Sequence, residues 1–376
     1  MPGTHVHIGL KILLHGKGRV LLSVSGIGVA VLIMFLQLGF FHGINNSQAF
    51  MARLLNADLV VLHWRRTNLD NWWRMDRIRA AQLHAIAGVA QAIPLYKGII
   101  RLENPDTKRR RRISAYAFPP AFAPFDLPRF AQKAQRLEVP GTVLFDLRSR
   151  DIYGSVASRE TLVLNNRAFT VVGHVNIGPN LISDGIVLLG EGSWLAQGRS
   201  ARPIMVLLRL DGSASPAMVK RRIMEQLPDD SVVLTPEELY DREVAYTIKV
   251  APVGTIFGIG LIIGLIIGLV ICYQILFNEI TDHTPQYAVL MAMGYSKGFL
   301  VRTILEEAFL LSVLGFLPGL LGAAGVYWTL RDMTCLRMVL TLDLVGFVFL
   351  LTVTMCLMAG LLALRRVFRI DPAMLY

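Results

Sequence analysis

Four stretches of this chain are apolar over about 20 residues or more, the length a helix needs to cross a bilayer. No other property limits its folding so strongly. They are Val20–Phe41, Val253–Phe277, Leu300–Leu330 and Leu342–Leu364. In hydrocarbon every backbone amide must bond inside its own segment, so such stretches are expected as helices. The rest of the 376 residues does not dilute this character: 53% are hydrophobic and the mean hydropathy is +0.50, too apolar for an ordinary soluble domain. The first stretch follows Lys11, Lys17 and Arg19, as in a signal peptide. It exceeds the apolar core of one, however, and no small-residue cleavage site follows, so it reads as an uncleaved span.

The organisation expected is an N-terminus (1–19), a first span (20–41), a long intervening segment (42–251), a second span (252–277), a polar loop (278–299), a third span (300–330), a short loop (331–341), a fourth span (342–364) and a C-terminus (365–376). Lys and Arg accumulate on the cytoplasmic side of spans. Lys11, Lys17 and Arg19 precede the first span, Lys297 and Arg302 flank the third, and Arg365, Arg366 and Arg369 follow the fourth. Both termini and the 278–299 loop are therefore assigned to the cytoplasm of a bacterial inner membrane, and 42–251 and 331–341 to the outside. The formal net charge of +11 fits contact with anionic head groups. No zinc spacing or nucleic-acid motif accompanies it, so nucleic acid is not expected as a partner.

The 42–251 segment mixes strand and helix signals and predicts an α+β domain, or two. "ADLVVLH" reads as a strand. "AIPLYKGIIRLENP" and "RRISAYAF" read as a pair around a basic turn. "TLVLNNRAFTVVGHVNIG" reads as a hairpin turning at Asn165-Asn166, and "PIMVLLRL" as a further strand. Ser215-Pro216 opens a helix through Gln226, with Ser as N-cap and Pro in the first turn. "SVVLTPEELYDREVAY" supplies a strand and a second Thr-Pro helix start, running towards the second span.

The spans carry texture. In the second, Gly260, Gly264 and Gly268 recur every four residues and form a smooth stripe that lets another helix approach closely. The third holds Gly315, Pro318 and Gly319, and Pro318 predicts a kink. Glu306 and Glu307 lie in its first turns. Two readings stay open for them: placement near the head groups, or a contact that holds the preceding loop to the spans.

The loop from Phe277 to Leu300 reads "FNEITDHTPQYAVLMAMGYSKGFL". Thr284 fits an N-cap, Pro285 the first helical position and Gly294 the residue just past the end. Asp282 lies at the positive end of the helix dipole. Tyr287, Leu290, Met291 and Gly294 share one face. Such a short helix is marginal alone in water, so its apolar face needs a cover: the bilayer surface or a cytoplasmic protein. The absence of Lys and Arg from its polar face favours a protein.

This stretch resembles the intracellular coupling helix of type VII ABC transporter permeases, the group of MacB, the lipoprotein-releasing permeases and FtsX. The family pattern is an acid, then a run like "EIGILKALGAS", then a span opening with "EA". Here "QYAVLMAMGYS" and Glu307-Ala308 match it. "MFLQLGF", "LNADLVVL", "VLFD", "YQIL", "TDHTPQYAVLMAMGY" and "RIDPA" resemble DevC-type permeases in particular. Gln286 stands where the family often has Glu and Met291 where it often has Lys. Charge is thereby removed while the apolar face remains.

The resemblance implies a dimerising four-helix permease without a continuous pore. It would bind two copies of a cytoplasmic ABC ATPase through Asp282, Thr284, Pro285, Tyr287, Leu290, Met291 and Gly294, and pass their motion outward to a periplasmic membrane-fusion adaptor with an outer-membrane channel. The cargo class implied is a lipid-like or other hydrophobic compound. The alternative is an FtsX-like subunit that controls an extracytoplasmic cell-wall enzyme without transport, and a receptor without an ATPase is a third reading.

No catalytic or cofactor site is expected on the chain itself. "GLKILLHGKGR" lacks the glycine spacing and Ser/Thr of a phosphate-binding loop, and no HExxH or GxSxG is present. ATP and Mg²⁺ are expected in the partner ATPase. Cys272, Cys335 and Cys356 read as small buried hydrophobes, and His5 and His7 as a flexible terminus. Two segments stay open between solvated surface and contact with an adaptor or lipid. One is the basic run Lys108–Arg112, with Arg109 and Arg110. The other is "HWRRTNLDNWWR", with Trp64, Trp72 and Trp73.

Overall fold

The computed structural model describes residues 17–156, 159–179, 183–228, 230–249, 253–284, 289, 293, 296–334 and 338–367. Along the chain, α1 (Lys17–Arg53) leads into β1 (Leu59–His63), α2 (Arg79–His84), β2 (Val89–Glu103), β3 (Arg110–Phe118), α3 (Phe130–Gln135) and β4 (Thr142–Asp146). Then come β5 (Thr161–Leu164), β6 (Arg167–Val175), β7 (Ile186–Gly190), α4 (Glu191–Ala196), β8 (Met205–Leu210), α5 (Pro216–Gln226), β9 (Ser231–Leu234) and α6 (Pro236–Lys249). Three long apolar helices close the order: α7 (Val253–Asp282), α8 (Lys297–Thr334) and α9 (Leu342–Val367). The chain divides into two compact units, one holding the apolar helices and the other residues 43–252.

In the second unit, β2 is shared by two sheets. Its first half pairs antiparallel with β8, which pairs with β1, which pairs with β9. With α2 between β1 and β2, and α5 between β8 and β9, this is a split β-α-β-β-α-β arrangement. Both faces of β1 are covered, because side chains alternate across a strand. Leu59 and Val61 pack with Leu83, Val219 and Ile223, whereas Val60 and Leu62 pack with Met51, Leu55 and Leu239. The segment inserted between β2 and β8 forms a closed ring. The second half of β2 pairs with β3, β3 with β7, β7 with β4, β4 with β6, β6 with β5, and β5 returns to the end of β2. Its interior takes apolar residues from all six strands, among them Tyr96, Ile113, Val143, Leu162, Phe169 and Val187, and Trp194 joins them from α4.

Local chemistry explains the turns. Asn165 and Asn166 have φ of 48° and 66°, the left-handed pair of a two-residue hairpin turn, and Asn165 Oδ1 accepts from Arg101 N at 3.0 Å. Ser215 caps α5 by accepting from Met218 N. At α6 the cap is reciprocal: Glu238 N donates to Thr235 Oγ1 at 3.1 Å and Thr235 N to Glu238 Oε2 at 2.8 Å, a capping box. The expected strands and both Thr/Ser-Pro helices are present. β4 and β7 were not expected from periodicity; every residue of each is buried, so neither alternates.

The apolar unit packs α1, α7, α8 and α9. Among the described residues, four helices are long and apolar enough to cross a membrane, with cores at Leu21–Ser47, Val253–Asp282, Val301–Leu330 and Leu342–Arg365. The first helix continues to Arg53, beyond the span expected to end at Phe41. The glycine stripe of α7 is a packing face. A Cβ on Gly264 would meet Ile33 at 3.1 Å, and one on Gly268 would meet Ala30 at 2.9 Å, while Gly260 lies against Gln37. The stripe continues as buried Cys272, Leu276 and Ile280, and Cys272 and Cys356 are both free and buried. On the opposite side of α7, Ile256, Ile259, Ile263, Ile266 and Val270 are exposed.

Helix α8 runs unbroken through Pro318 from Lys297 to Thr334. Pro318 lies beside Gly28 of α1, and Gly315 and Gly319 receive Ile27 and Val31. The α1–α8 contact thus comes to backbone-to-backbone distance, where small residues gain dispersion contacts that lipid tails cannot supply.

A Cβ on Gly319 would lie 2.6 Å from Val31 Cβ and 2.8 Å from Gly28 O. Gly319→Leu is therefore expected to insert normally but to lose about 1–3 kcal/mol of bundle stability by overpacking, measured as thermal unfolding in detergent. Gly325→Leu, where nothing lies within 4 Å of the new Cβ, is expected to leave the transition unchanged.

Candidate functional site

The expected coupling loop lies between α7 and α8. Pro285, Tyr287, Leu290, Met291 and Gly294 lie outside the described residues. Asp282 is the last residue of α7. Thr284 Oγ1 donates to Ile280 O at 2.9 Å, and Thr281 Oγ1 donates to Phe277 O at 2.7 Å. The hydroxyl of the expected N-cap is thus engaged with the preceding turn, and its role toward residues further on falls outside the described positions. Met293 N donates to Val289 O at 3.0 Å, a helical bond, and both side chains are exposed. Ser296 then caps α8, accepting from Phe299 N at 3.3 Å.

The two acids at the start of α8 separate. Glu306 is half-buried and pairs with Arg302 at 3.0 Å. Glu307 is 1% exposed, and its carboxyl lies beside that of Glu279 on α7. Burial separates the two: Glu307 lies in the contact between α7 and α8, and Glu306 does not.

In the other unit the Trp-rich segment follows β1 directly. It is held from beneath by charged side chains bonding its own carbonyls, which keeps the loop backbone satisfied. Arg66, 2% exposed, donates to Leu69 O at 2.9 Å and to Trp73 O. Lys97, in the middle of β2, bonds Asp70 and reaches Leu69 O at 3.4 Å, with Tyr116 beneath its ammonium. Arg242 of α6 donates to Arg66 O at 2.8 Å and Trp64 O at 3.2 Å. Arg74 Nη2 donates to Lys97 O at 3.3 Å.

Glu243, one residue on from Arg242, is 1% exposed. It faces Asp70, Lys97 and Arg66; the Leu69 N–H is directed at it, but neither oxygen gains a bond of good geometry among the described residues. Burial pushes its carboxyl up to about 8, with Asp70 adding to the rise. Burial likewise lowers Arg66 to about 10. Burial acts to lower Lys97, but Tyr116 and Asp70 together outweigh it and raise the ammonium.

Above this cluster the aromatic rings stack: His63 on Trp73 at 5.0 Å between centroids, and Trp72 on Trp73 at 4.5 Å. The Arg65 guanidinium lies 5.0 Å from Trp64 and 4.9 Å from Trp73. Trp64 and Trp72 are exposed and Trp73 is half-buried. Sequence reasoning found the tryptophans but not the charges beneath them. The available signal was a lysine inside an otherwise apolar strand, since such a charge needs a partner. The other basic segment spans the β2–β3 turn and the start of β3: Arg109 to Arg112 are exposed, Asn104 Oδ1 orders the turn by accepting from Asp106 N and Thr107 N at 2.9 Å, and Arg110 lies 3.8 Å from Glu103. Among the described residues no group of three metal-ligating side chains occurs.

These features define a multi-pass membrane protein: four apolar helices, with a mixed α+β domain between the first and second. Residues 257–372 match the family described as FtsX-like permease C-terminal. The periplasmic region of MacB from Actinobacillus actinomycetemcomitans aligns at 9% identity over 50% of this chain and 92% of that one, with a TM-score of 0.37. The extracellular domain of the noncanonic ABC-type transporter YknZ from Gram-positive bacteria aligns at 9% identity over 48% of this chain and 99% of that one, with a TM-score of 0.33. No curated protein matched the chain.

For an acid whose value is higher folded than unfolded, the folded state holds the extra proton, so stability is full below the unfolded value and falls as pH rises towards the folded one. Between about pH 4.5 and about pH 8, Glu243 is expected to make stability fall with pH by up to about 1.4 kcal/mol per unit. Glu243→Gln is expected to flatten that slope and to be the more stable protein at about pH 8, measured by denaturant unfolding across the range. Parallel profiles for the two proteins would refute the assignment.

Proposed function

We propose that this chain is the permease subunit of an ATP-driven ABC exporter of DevC type. A dimer of the chain engages two copies of a cytoplasmic ATPase through the 282–294 segment. The helix bundle transmits their motion to the extracytoplasmic domain and to a periplasmic adaptor, for export of a lipid-like or other hydrophobic compound. The observation that carries this reading is the match of residues 257–372 to the FtsX-like permease C-terminal family. It encloses the short polar stretch "TDHTPQYAVLMAMGYS" between two apolar helices. Buried contacts between α7 and its neighbours support rigid transmission, because tightly packed cores shift between discrete arrangements rather than deforming. ATP and Mg²⁺ belong to the partner. The FtsX-like match also fits a regulatory subunit that acts on a cell-wall enzyme; a neighbouring gene for a peptidoglycan hydrolase, with none for an adaptor, would favour it.

Leu290→Asp puts a charge on the apolar face of the segment. Burying an unpaired charge costs several kcal/mol, and about 1.4 kcal/mol is already tenfold in affinity. The variant is expected to reach the membrane at normal levels and to lose its ATPase on purification in mild detergent, while Lys297→Ala retains it. Wild-type ATPase yield with Leu290→Asp would refute the coupling role. For orientation, protease added to intact spheroplasts is expected to cut within 42–251 and to spare Tyr287; protection of that domain would reverse the topology.

A further inference from the structure

We propose that the loop following β1 is a membrane-surface ledge, in which exposed indoles and guanidinium groups dock onto the head groups of anionic lipid. The inference rests on the reading of α7 as a membrane span but not on any ATPase. Its first support is the way the loop is built. Cationic side chains bind five contacts on its carbonyls from below: Arg66 at Leu69 O and Trp73 O, Lys97 at Leu69 O, and Arg242 at Trp64 O and Arg66 O. A loop held this firmly nevertheless leaves large apolar side chains in contact with water: Trp72 is 74% exposed, Ile78 59% and Trp64 50%.

Its second support is charge. Residues 64–79 contain five arginines and two aspartates. Arg65 and Arg77 are exposed, and Arg65 lies over the Trp64 and Trp73 rings. Of the two acids, Asp70 is bound to Lys97 and Asp76 is exposed. Indoles prefer the head-group layer, where the ring is sheltered and its N–H stays wet, and arginine at the same level attracts anionic lipid. Third, Arg242, which holds two of the loop's carbonyls, lies on α6, and Lys249 at the end of α6 precedes α7 by four positions in the chain. The ledge is therefore bound to α6, the element that precedes the α7 span in the sequence. Interleaved indole and guanidinium with an attachment of this kind fits a lipid surface. A protein-docking face would concentrate apolar anchors in a dry centre.

The test uses the full chain in nanodiscs containing head-group nitroxide phosphatidylcholine, with and without phosphatidylglycerol. Trp328, 73% exposed on α8, is first replaced by Phe, and Trp194, 1% exposed, stays as an internal reference. Tryptophan emission is expected to be quenched in discs with phosphatidylglycerol, and most of that quenching is expected to vanish in Trp64→Phe/Trp72→Phe. Arg65→Glu/Arg77→Glu is expected to remove the dependence on phosphatidylglycerol while the fold, read from Trp194, is kept. Equal quenching in both lipids would overturn the anionic assignment. No quenching, or quenching unchanged by the Trp replacements, would overturn the ledge and leave the surface to a protein partner. None of these outcomes depends on ATPase recruitment, so the ledge and the exporter reading fail separately.

Discussion

Close approach of helix backbones is the interaction on which the apolar unit depends. Between apolar helices in lipid there is no hydrophobic gain from leaving water, so association rests on dispersion contacts and on how near two backbones can come. Glycine decides that distance. On α7 the stripe Gly260, Gly264, Gly268 admits α1, and Gly315 and Gly319 of α8 admit Ile27 and Val31 across from Gly28. Tyr327 of α8 adds a polar link, its hydroxyl donating to Phe35 O. Helix α1 is therefore gripped by two neighbours along faces with no side-chain slack.

The α+β unit depends on one strand in a comparable way. Strand β2 is 15 residues long, well above the usual five or six, because it belongs first to the open sheet and then to the closed ring. Pairing with β8 fixes its first half and pairing with β3 its second. A one-residue slip in β2 would turn the interior residues of both sheets outward together. Closure also removes edges from the six-stranded part, while among the described residues β9 and the first half of β2 border the other sheet.

At the junction of these two sheets lies the buried charge cluster of Arg66, Asp70, Lys97 and Glu243. Such a cluster adds little net stability, since desolvation offsets most of the attraction. What it supplies is position: the carbonyls of one loop, a lysine of β2 and two consecutive residues of α6 are tied at one place. Glu243 enters mostly uncharged at neutral pH, with its carboxyl raised to about 8 by burial, so the cluster keeps an excess of positive charge beneath the aromatic rings.

Length and apolarity made the four long helices legible, because in hydrocarbon a segment of that composition has no other way to bond its amides. Turn chemistry was legible for the same local reason: Asn165-Asn166, Ser215-Pro216 and Thr235-Pro236 act within four residues of themselves. The tryptophans and the basic turn could be found in the sequence, but not which of them is ordered by a buried framework. Strands β4 and β7 escaped because a strand covered on both faces loses its alternation. Closure of the ring, the separation of Glu306 from Glu307, and the meeting of Arg66, Asp70, Lys97 and Glu243 were decided only in three dimensions. Each depends on residues distant in the chain whose pairing follows from strand order and helix packing, and no local pattern encodes those.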